Sequence, residues 1–196
     1  MDEPSFSSVQ PVTEDSRILL RDVEWSTYVK LRDASEDRHL RMTYLQGALE
    51  IMSPGRRHEV SARMVARLLE LFCLEREIPL YAYGNETYRD EARERGLEPD
   101  GCYARDCDKP RPDVAIEVII SSPLLDKLEV YRGLEIGEVW LFRAGKFTIH
   151  RLRGDQYVTI AASEVFPEVD LDRIAHYVTQ PDQHAAVVAF RDELRR

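Results

Sequence analysis

The sequence lacks any apolar run near the length of about 18 residues that a membrane span requires, and no signal peptide is visible at its start. Cysteine is also scarce. The three cysteines are an odd number without Cys-x-x-Cys spacing, which argues against a zinc knuckle or a disulfide framework. We therefore expect a soluble, cytoplasmic protein with reduced thiols and no membrane partner.

An excess of positive charge is missing as well. The formal net charge is −9, which argues against a protein that holds nucleic acid by bulk electrostatics. A metal-dependent enzyme remains compatible with this charge, because a bound cation supplies the local positive charge itself.

Size and composition favour one compact domain with short appendages, since 196 residues with 43% hydrophobic content can bury a real core. Residues 1–17 mix Ser, Pro, Asp and Glu without periodicity, which predicts a flexible N-terminal segment. Residues 18–180 form the predicted single domain. Residues 181–196 contain an amphipathic C-terminal helix that could pack on this domain or on a second subunit.

The order of elements predicts an α+β fold with a mixed central β-sheet flanked by helices. Two short apolar runs around Gln46-Gly47-Ala48 indicate an N-terminal hairpin, and residues 58–76 form the strongest helical pattern. Residues 97–103 read as one strand. Three further strands between residues 138 and 160 are separated by Gly-containing turns, which predicts a C-terminal meander.

The stretch from 111 to 127 is the centre of the functional interpretation. Residues 114–120 are almost wholly apolar and β-branched, which is typical of a strand covered on both faces, yet Glu117 lies in the middle. Ser122 is a suitable N-cap for a helix over residues 123–133, and helical periodicity turns Lys127 towards the interior. A plain structural ion pair between Glu117 and Lys127 is one interpretation.

A third acidic residue, Asp100, favours a metal site instead. The hypothesis is that Asp100 and Glu117 project from neighbouring strands onto one Mg²⁺ or Mn²⁺ ion, since hard cations prefer carboxylate oxygens. Lys127 would then orient the attacking water or offset charge that builds on a phosphate. Asp113 competes as the first ligand, but four residues of one strand cover about 13 Å, too far for Asp113 and Glu117 to share an ion.

The start of the long helix carries Arg56, Arg57, His58 and Glu59. Basic side chains oppose the helix dipole there, so a bound anion such as a phosphate would be stabilised at this position. A solvated charged turn is the alternative.

Taken in order, a series of short motifs resembles the Uma-two family of restriction endonucleases, a former domain of unknown function within the PD-(D/E)XK nuclease superfamily. The similarity covers about residues 23 to 178. The matching segments are 42–54 (MTYLQGALEIMSP), His58-Glu59, 98–103 (EPDGCY), 112–118 (PDVAIEV), 125–127 (LDK) and 138–140 (EVW).

This resemblance implies a restriction-endonuclease-like core with Asp100 and Glu117 as the acidic pair. The superfamily's lysine normally follows two residues after the Glu, where this chain has Ile119, so Lys127 would be a relocated lysine. Glu50, His58 and Glu59 also match family positions and would line the cleft. The resemblance further implies DNA as the substrate and a homodimer as a candidate assembly.

Two function hypotheses follow. The first is a metal-dependent endonuclease that hydrolyses DNA phosphodiester bonds at the Asp100 and Glu117 metal site, assisted by Lys127. The second is a catalytically silent nuclease-fold protein that binds or regulates, favoured by the acidic net charge and by Ile119. A hydrolase built on Ser53 and His58 has little support, because no nucleophile-elbow pattern surrounds any serine.

Overall fold

The computed structural model describes residues 13–35, 39–84 and 87–196. Within these residues the helices are α1 (Trp25–Asp33), α2 (Arg56–Glu75), α3 (Lys127–Gly133), α4 (Leu171–Val178) and α5 (Gln183–Leu194). The strands are β1 (Ser16–Leu20), β2 (Arg41–Leu45), β3 (Ala48–Ser53), β4 (Tyr81–Ala82), β5 (Tyr88–Asp90), β6 (Arg95–Leu97), β7 (Gly101–Ala104), β8 (Val114–Ile119), β9 (Glu138–Arg143), β10 (Lys146–Arg153) and β11 (Gln156–Ile160).

Two sheets form the frame of the protein. The six-stranded sheet has the order β11-β10-β9-β8-β7-β4. It is mixed, because β8 and β9 run parallel while all other neighbouring strands in this sheet are antiparallel. The five-stranded sheet has the order β1-β3-β2-β6-β5 and is antiparallel throughout. The expected α+β class and mixed sheet are confirmed, and this architecture agrees with a restriction-endonuclease-like fold. The second sheet was not foreseen as a separate layer.

The predicted hairpin and meander are both present, and their turns explain why. β2 and β3 pair with Leu45 opposite Ala48, and Gln46 and Gly47 between them have φ angles of 44° and 87°. Ala144 and Gly145 connect β9 to β10 with φ angles of 49° and 77°. Positive φ at both central residues is what a two-residue type I′ turn requires, and that turn matches the twist of paired strands.

β8 is the buried strand at the centre of the mixed sheet. Val114, Ile116 and Val118 face a core shared with α2, α4 and α5, whereas Ala115 packs with α3 on the other side. Since side chains alternate along a strand, Glu117 points towards α3. It is 0% exposed, so its carboxylate must find partners inside the protein.

The strand predicted over residues 97–103 is wrong as one element. The structure divides it into β6 and β7, which belong to different sheets. Pro99 lies between them and has no N–H to continue a ladder. The chain therefore crosses from one sheet to the other over Glu98, Pro99 and Asp100, which brings Asp100 to the crossing point.

The helix predicted over residues 123–133 is also shorter than expected. α3 begins at Lys127, and its N-cap is Asp126 instead of Ser122: the Asp126 carboxylate accepts from the N–H groups of Leu128 (3.0 Å) and Glu129 (3.3 Å). The N–H groups that precede the helix are engaged elsewhere, as described below. Lys127 is consequently the first residue of the helix.

The structure describes part of the predicted N-terminal segment and all of the predicted C-terminal one. Residues 1–12 of the predicted N-terminal segment lie outside the described residues, but Ser16 and Arg17 belong to β1. α5 packs on the domain itself, where the Phe190 ring lies 6.4 Å from that of Phe72 and 5.0 Å from that of Tyr177. None of the helices in the described ranges combines the length and apolar character needed to cross a bilayer.

Candidate metal site between the two sheets

Asp100 immediately precedes β7 and lies beside Glu117 of the neighbouring strand β8. The Asp100 N–H donates to the carbonyl of Ile116 (3.1 Å), and its Oδ2 accepts from the N–H of Val118 (2.8 Å). Asp100 is thus bonded to the residues on both sides of Glu117. The two acids come together because the chain bends at Pro99 and then pairs with β8.

α3 supplies two donors to Glu117. Lys127 Nζ lies 2.6 Å from Oε2, and the Tyr131 hydroxyl donates to Oε1 at 2.5 Å. Residues four apart occupy the same face of a helix, so one face of α3 presents both groups to β8. Glu117 is fully buried, and the Lys127 side chain is 11% exposed.

α2 and β2 supply the partners of Asp100. His58, the third residue of α2, places Nε2 2.9 Å from Asp100 Oδ1 and is itself 1% exposed. Arg41, the first residue of β2, holds Nη2 3.8 Å from the same oxygen. Each of the two acids therefore faces at least one basic side chain from a different element.

The protonation tendencies follow from burial and from these partners. Burial alone would raise the pKa of Asp100, but the hydrogen bond and charge of His58 and the charge of Lys127 hold that pKa below its usual value. Burial raises the pKa of Glu117, and this effect outweighs the facing Lys127. Burial lowers the pKa of Lys127, yet the carboxylates of Glu117 and Asp100 raise it above the ordinary value. These carboxylates therefore favour the charged form of Lys127.

Glu50 lies behind the connection from β8 to α3. Its Oε2 accepts from the N–H groups of Leu124 (2.6 Å) and Leu125 (3.0 Å), and its Oε1 pairs with Arg17. These bonds explain why the helix does not begin at Pro123. They also set the path by which the chain delivers Lys127 to Glu117.

The remaining sequence-predicted residues lie at different places. Glu59 lines a cleft of about 160 Å³ together with Asp100, Arg41 and Arg63. Asp113 does not join the cluster, because its carboxylate binds Lys109 Nζ (2.6 Å) and the N–H of Arg105 (3.0 Å) at the other end of β8. The structure therefore brings together Asp100, Glu117, Lys127 and His58, keeps Glu50 and Glu59 near them, and leaves Asp113 apart.

Sequence reasoning missed three residues that contact the cluster. Tyr131 was not singled out, although its position four residues after Lys127 was a usable signal. Arg41 gave no local signal, because its approach to Asp100 depends on how the two sheets meet. Asp15 fell in the predicted flexible segment, yet its carboxylate lies 3.6 Å from His58 Nδ1.

The donor set fits a hydrated Mg²⁺ or Mn²⁺ ion. Such ions are commonly held by one or two carboxylates, with water and substrate completing the shell. Asp100 and Glu117 supply two carboxylates, and each oxygen that accepts one hydrogen bond still has a second lone pair. Within the described part of the chain, no three His, Cys, Asp or Glu side chains form a group that could hold a metal, so a site made entirely of side chains is not present there.

A comparison with protein families identifies a match over most of the chain. The Uma2 family model, described as "Putative restriction endonuclease", matches residues 25–178. The matched range includes Asp100, Glu117, Lys127 and His58, but Asp15 precedes it. No curated protein matches the chain significantly.

Proposed function

Since the chain belongs to the Uma2 restriction endonuclease family, which supports a nuclease function in general, we propose that it is a metal-dependent endonuclease that hydrolyses DNA phosphodiester bonds. The single observation that carries the proposal is the meeting of Asp100, Glu117 and Lys127 at one point between β7, β8 and α3. DNA is the proposed substrate, and Mg²⁺ or Mn²⁺ is the proposed cofactor.

Asp100 and Glu117 are the proposed ligands. A divalent ion at this position would polarise the phosphorus centre and lower the pKa of a bound water. His58 holds the Asp100 carboxylate in place through its 2.9 Å contact, and Tyr131 does the same for Glu117. Both carboxylates are thereby oriented before the metal ion arrives, so their side chains need little rearrangement to bind it.

Lys127 is the proposed stabiliser of charge in the transition state. The carboxylates of Glu117 and Asp100 raise its pKa, so the protonated amine can neutralise charge that builds on the phosphate. In the PD-(D/E)XK superfamily the lysine normally stands at the position of Ile119. The 2.6 Å contact to Glu117 supports the view that a lysine from α3 reaches the same carboxylate by another route.

Site-directed variants test the proposal. Duplex, single-stranded and branched DNA are incubated with the full chain and either Mg²⁺ or Mn²⁺. Asp100→Ala, Glu117→Ala and Lys127→Ala should each abolish cleavage. Lys109→Ala is the matched control, because Lys109 also binds a carboxylate next to β8 but lies away from the cluster. The absence of cleavage on every DNA form with both metals contradicts the proposal.

A specific observation also favours the second candidate, a catalytically silent nuclease-fold protein that binds or regulates. Each oxygen of Asp100 and Glu117 already accepts a hydrogen bond or ion pair from the protein itself. A crystal soaked in Mn²⁺ separates the two candidates. An ion between the two acids favours the endonuclease, and an intact Lys127 pair without an ion favours the silent protein.

A further inference from the structure

The carboxylate of Asp15 occupies a polar pocket next to the proposed metal site. Asp15 immediately precedes β1, and its side chain is 0% exposed. The groups around it are Gly55 N–H (3.0 Å from Oδ1), Ser121 Oγ (3.0 Å from Oδ2), Arg17 Nη2 (3.4 Å from Oδ2) and His58 Nδ1 (3.6 Å from Oδ2). These groups come from three separate parts of the chain, so the pocket is a product of the fold.

The pocket is suited to an anion. Gly55 is the N-cap of α2, a helix of 20 residues, and its N–H, which donates to Asp15, favours negative charge together with the helix dipole. Arg17 is anchored there, because its Nη1 pairs with Glu50, its Nε donates to Ser121 Oγ (3.0 Å) and its side chain is only 9% exposed. Burial alone would raise the pKa of Asp15, but the Gly55 N–H, the charge of His58 and the Ser121 hydroxyl lower it.

An independent observation indicates that Asp15 fills this pocket incompletely. His58 is 1% exposed, and its Nδ1 has no hydrogen-bond partner, since 3.6 Å to Asp15 is too long for one. A buried polar nitrogen without a partner costs free energy. A tetrahedral anion has more acceptor oxygens than a carboxylate, so one of them could accept from an Nδ1–H of His58 while the others keep the remaining donors.

β1 is paired with β3 from Ser16 onwards, but the contacts that join Thr13 and Glu14 to the start of α2 are weak. The Arg57 N–H donates to the carbonyl of Thr13 at 3.5 Å, and the pair between Glu14 and Arg57 is largely exposed on both sides. Gly55 allows the backbone of residues 13 and 14 to pack closely against the start of α2, because a Cβ at that position would come within 2.6 Å of the Thr13 carbonyl oxygen. Residues 13–17 also precede the range matched by the family model.

We propose that Arg17, Ser121, His58 and the Gly55 N–H form a binding site for a phosphate group of the DNA backbone, and that Asp15 occupies this site in the conformation described. The inference rests on the proposed function, which identifies the phosphate as part of a DNA strand. His58 contacts Asp100 through Nε2 and faces this pocket through Nδ1, so a phosphate bound here would lie close to the proposed metal site. A DNA strand must displace the Asp15 carboxylate before its phosphate can bind.

The test measures binding of inorganic phosphate to the full chain by calorimetry in EDTA, without metal or DNA. Asp15→Ala should bind phosphate at least about tenfold more tightly than the wild type, if Asp15 fills the pocket in at least about nine molecules of ten. Glu14→Ala is the matched control, since it removes one negative charge from the same segment but from an exposed pair. It should leave the phosphate affinity unchanged.

Two further variants make the result specific. Asp15→Ala combined with Ser121→Ala should lose most of the gained affinity, because one donor of the pocket is gone. Gly55→Ala should raise the phosphate affinity with Asp15 still present, because its methyl group displaces residues 13 and 14. Gly55→Ala also decides the question if Asp15→Ala does not fold.

Each outcome separates this inference from the proposed function. Phosphate affinity that is the same in Asp15→Ala, Gly55→Ala and the wild type overturns the phosphate site, even if the protein cleaves DNA. A gain in Asp15→Ala that Glu14→Ala reproduces also overturns it, because charge alone then explains the gain. A gain specific to Asp15→Ala and reduced by Ser121→Ala supports the site, even if no DNA form is cleaved.

Discussion

The Lys127 ammonium lies 2.6 Å from Oε2 of Glu117, and this ion pair joins the first residue of α3 to the middle of β8. Glu117 is 0% exposed, so water does not solvate its charge. When one partner of a buried pair is removed, the other charge is left in the interior without compensation. Both the stability of the fold and the chemistry of the site therefore depend on this contact.

Lys127→Met should lower the free energy of unfolding by about 3 kcal/mol, because a buried ion pair that loses one partner typically loses about 3 to 5 kcal/mol. Tyr131 still donates to Glu117, which places the effect at the lower end of that range. Urea unfolding followed by circular dichroism measures the change. Adding Glu117→Gln should restore part of the lost stability, since no buried charge is then left unpaired.

The control for this prediction is Lys109→Met. Lys109 binds the Asp113 carboxylate at 2.6 Å, but its side chain is 34% exposed. Its removal should cost less than about 1 kcal/mol, as for other exposed pairs. Equal losses in Lys109→Met and Lys127→Met would contradict the prediction.

Tyr131→Phe should weaken binding of Mn²⁺ by about tenfold, because it removes the hydroxyl that orients Glu117 and such supporting groups typically contribute that much to metal affinity. Calorimetric titration with Mn²⁺ measures the change. Tyr157→Phe is the control, since the Tyr157 hydroxyl donates to the carbonyl of Ile136 (2.6 Å) away from the site. Both variants should lose about 1 kcal/mol of stability, but only Tyr131→Phe should lose metal affinity.

Glu50→Ala should open the connection between β8 and α3. Its carboxylate accepts from the N–H groups of Leu124 and Leu125, so these two amides should exchange with solvent much faster in the variant. Hydrogen exchange followed by NMR measures the rates residue by residue. Asp126→Ala should instead expose the amides of Leu128 and Glu129, whose bonds it removes. Slow exchange at Leu124 and Leu125 in Glu50→Ala would show that other contacts hold the connection.

Another buried glutamate, Glu138, provides a contrast with Glu117. Glu138, at the start of β9, accepts hydrogen bonds from the groups Trp140 Nε1 (2.9 Å), Ser163 Oγ (2.6 Å), Glu164 N–H (2.8 Å) and Val165 N–H (3.1 Å). Glu138→Ala should lower stability by about 3 kcal/mol, because several buried donors lose their acceptor at once. Thermal and urea unfolding measure the loss.

Metal binding distinguishes the two glutamates. Glu138→Ala should leave the affinity for Mn²⁺ unchanged, provided that the titration is made well below its unfolding temperature. Glu117→Gln should abolish that affinity, because one of the two proposed carboxylate ligands is lost. Loss of Mn²⁺ binding in Glu138→Ala, measured on folded protein, would show that the site does not lie where it is proposed.

Local sequence patterns were sufficient to predict the α+β class, the hairpin before α2, the buried strand around Glu117 and the strand meander. Hydrophobic periodicity and turn residues act over a few neighbouring positions, so one stretch of sequence contains what these elements need. The same patterns and the family resemblance selected Asp100, Glu117 and Lys127 before their contacts were known. Helical periodicity was enough to predict that Lys127 faces the interior, although α3 is shorter than expected.

The tertiary structure alone decided where the chain leaves one sheet for the other and which side chains meet there. His58 reaches Asp100 across 42 residues, and Asp15 binds Ser121 across 106. Such contacts depend on the order of strands in both sheets and on where α2 begins against them. No local pattern encodes these distances, since each is fixed only when elements distant in sequence pack together.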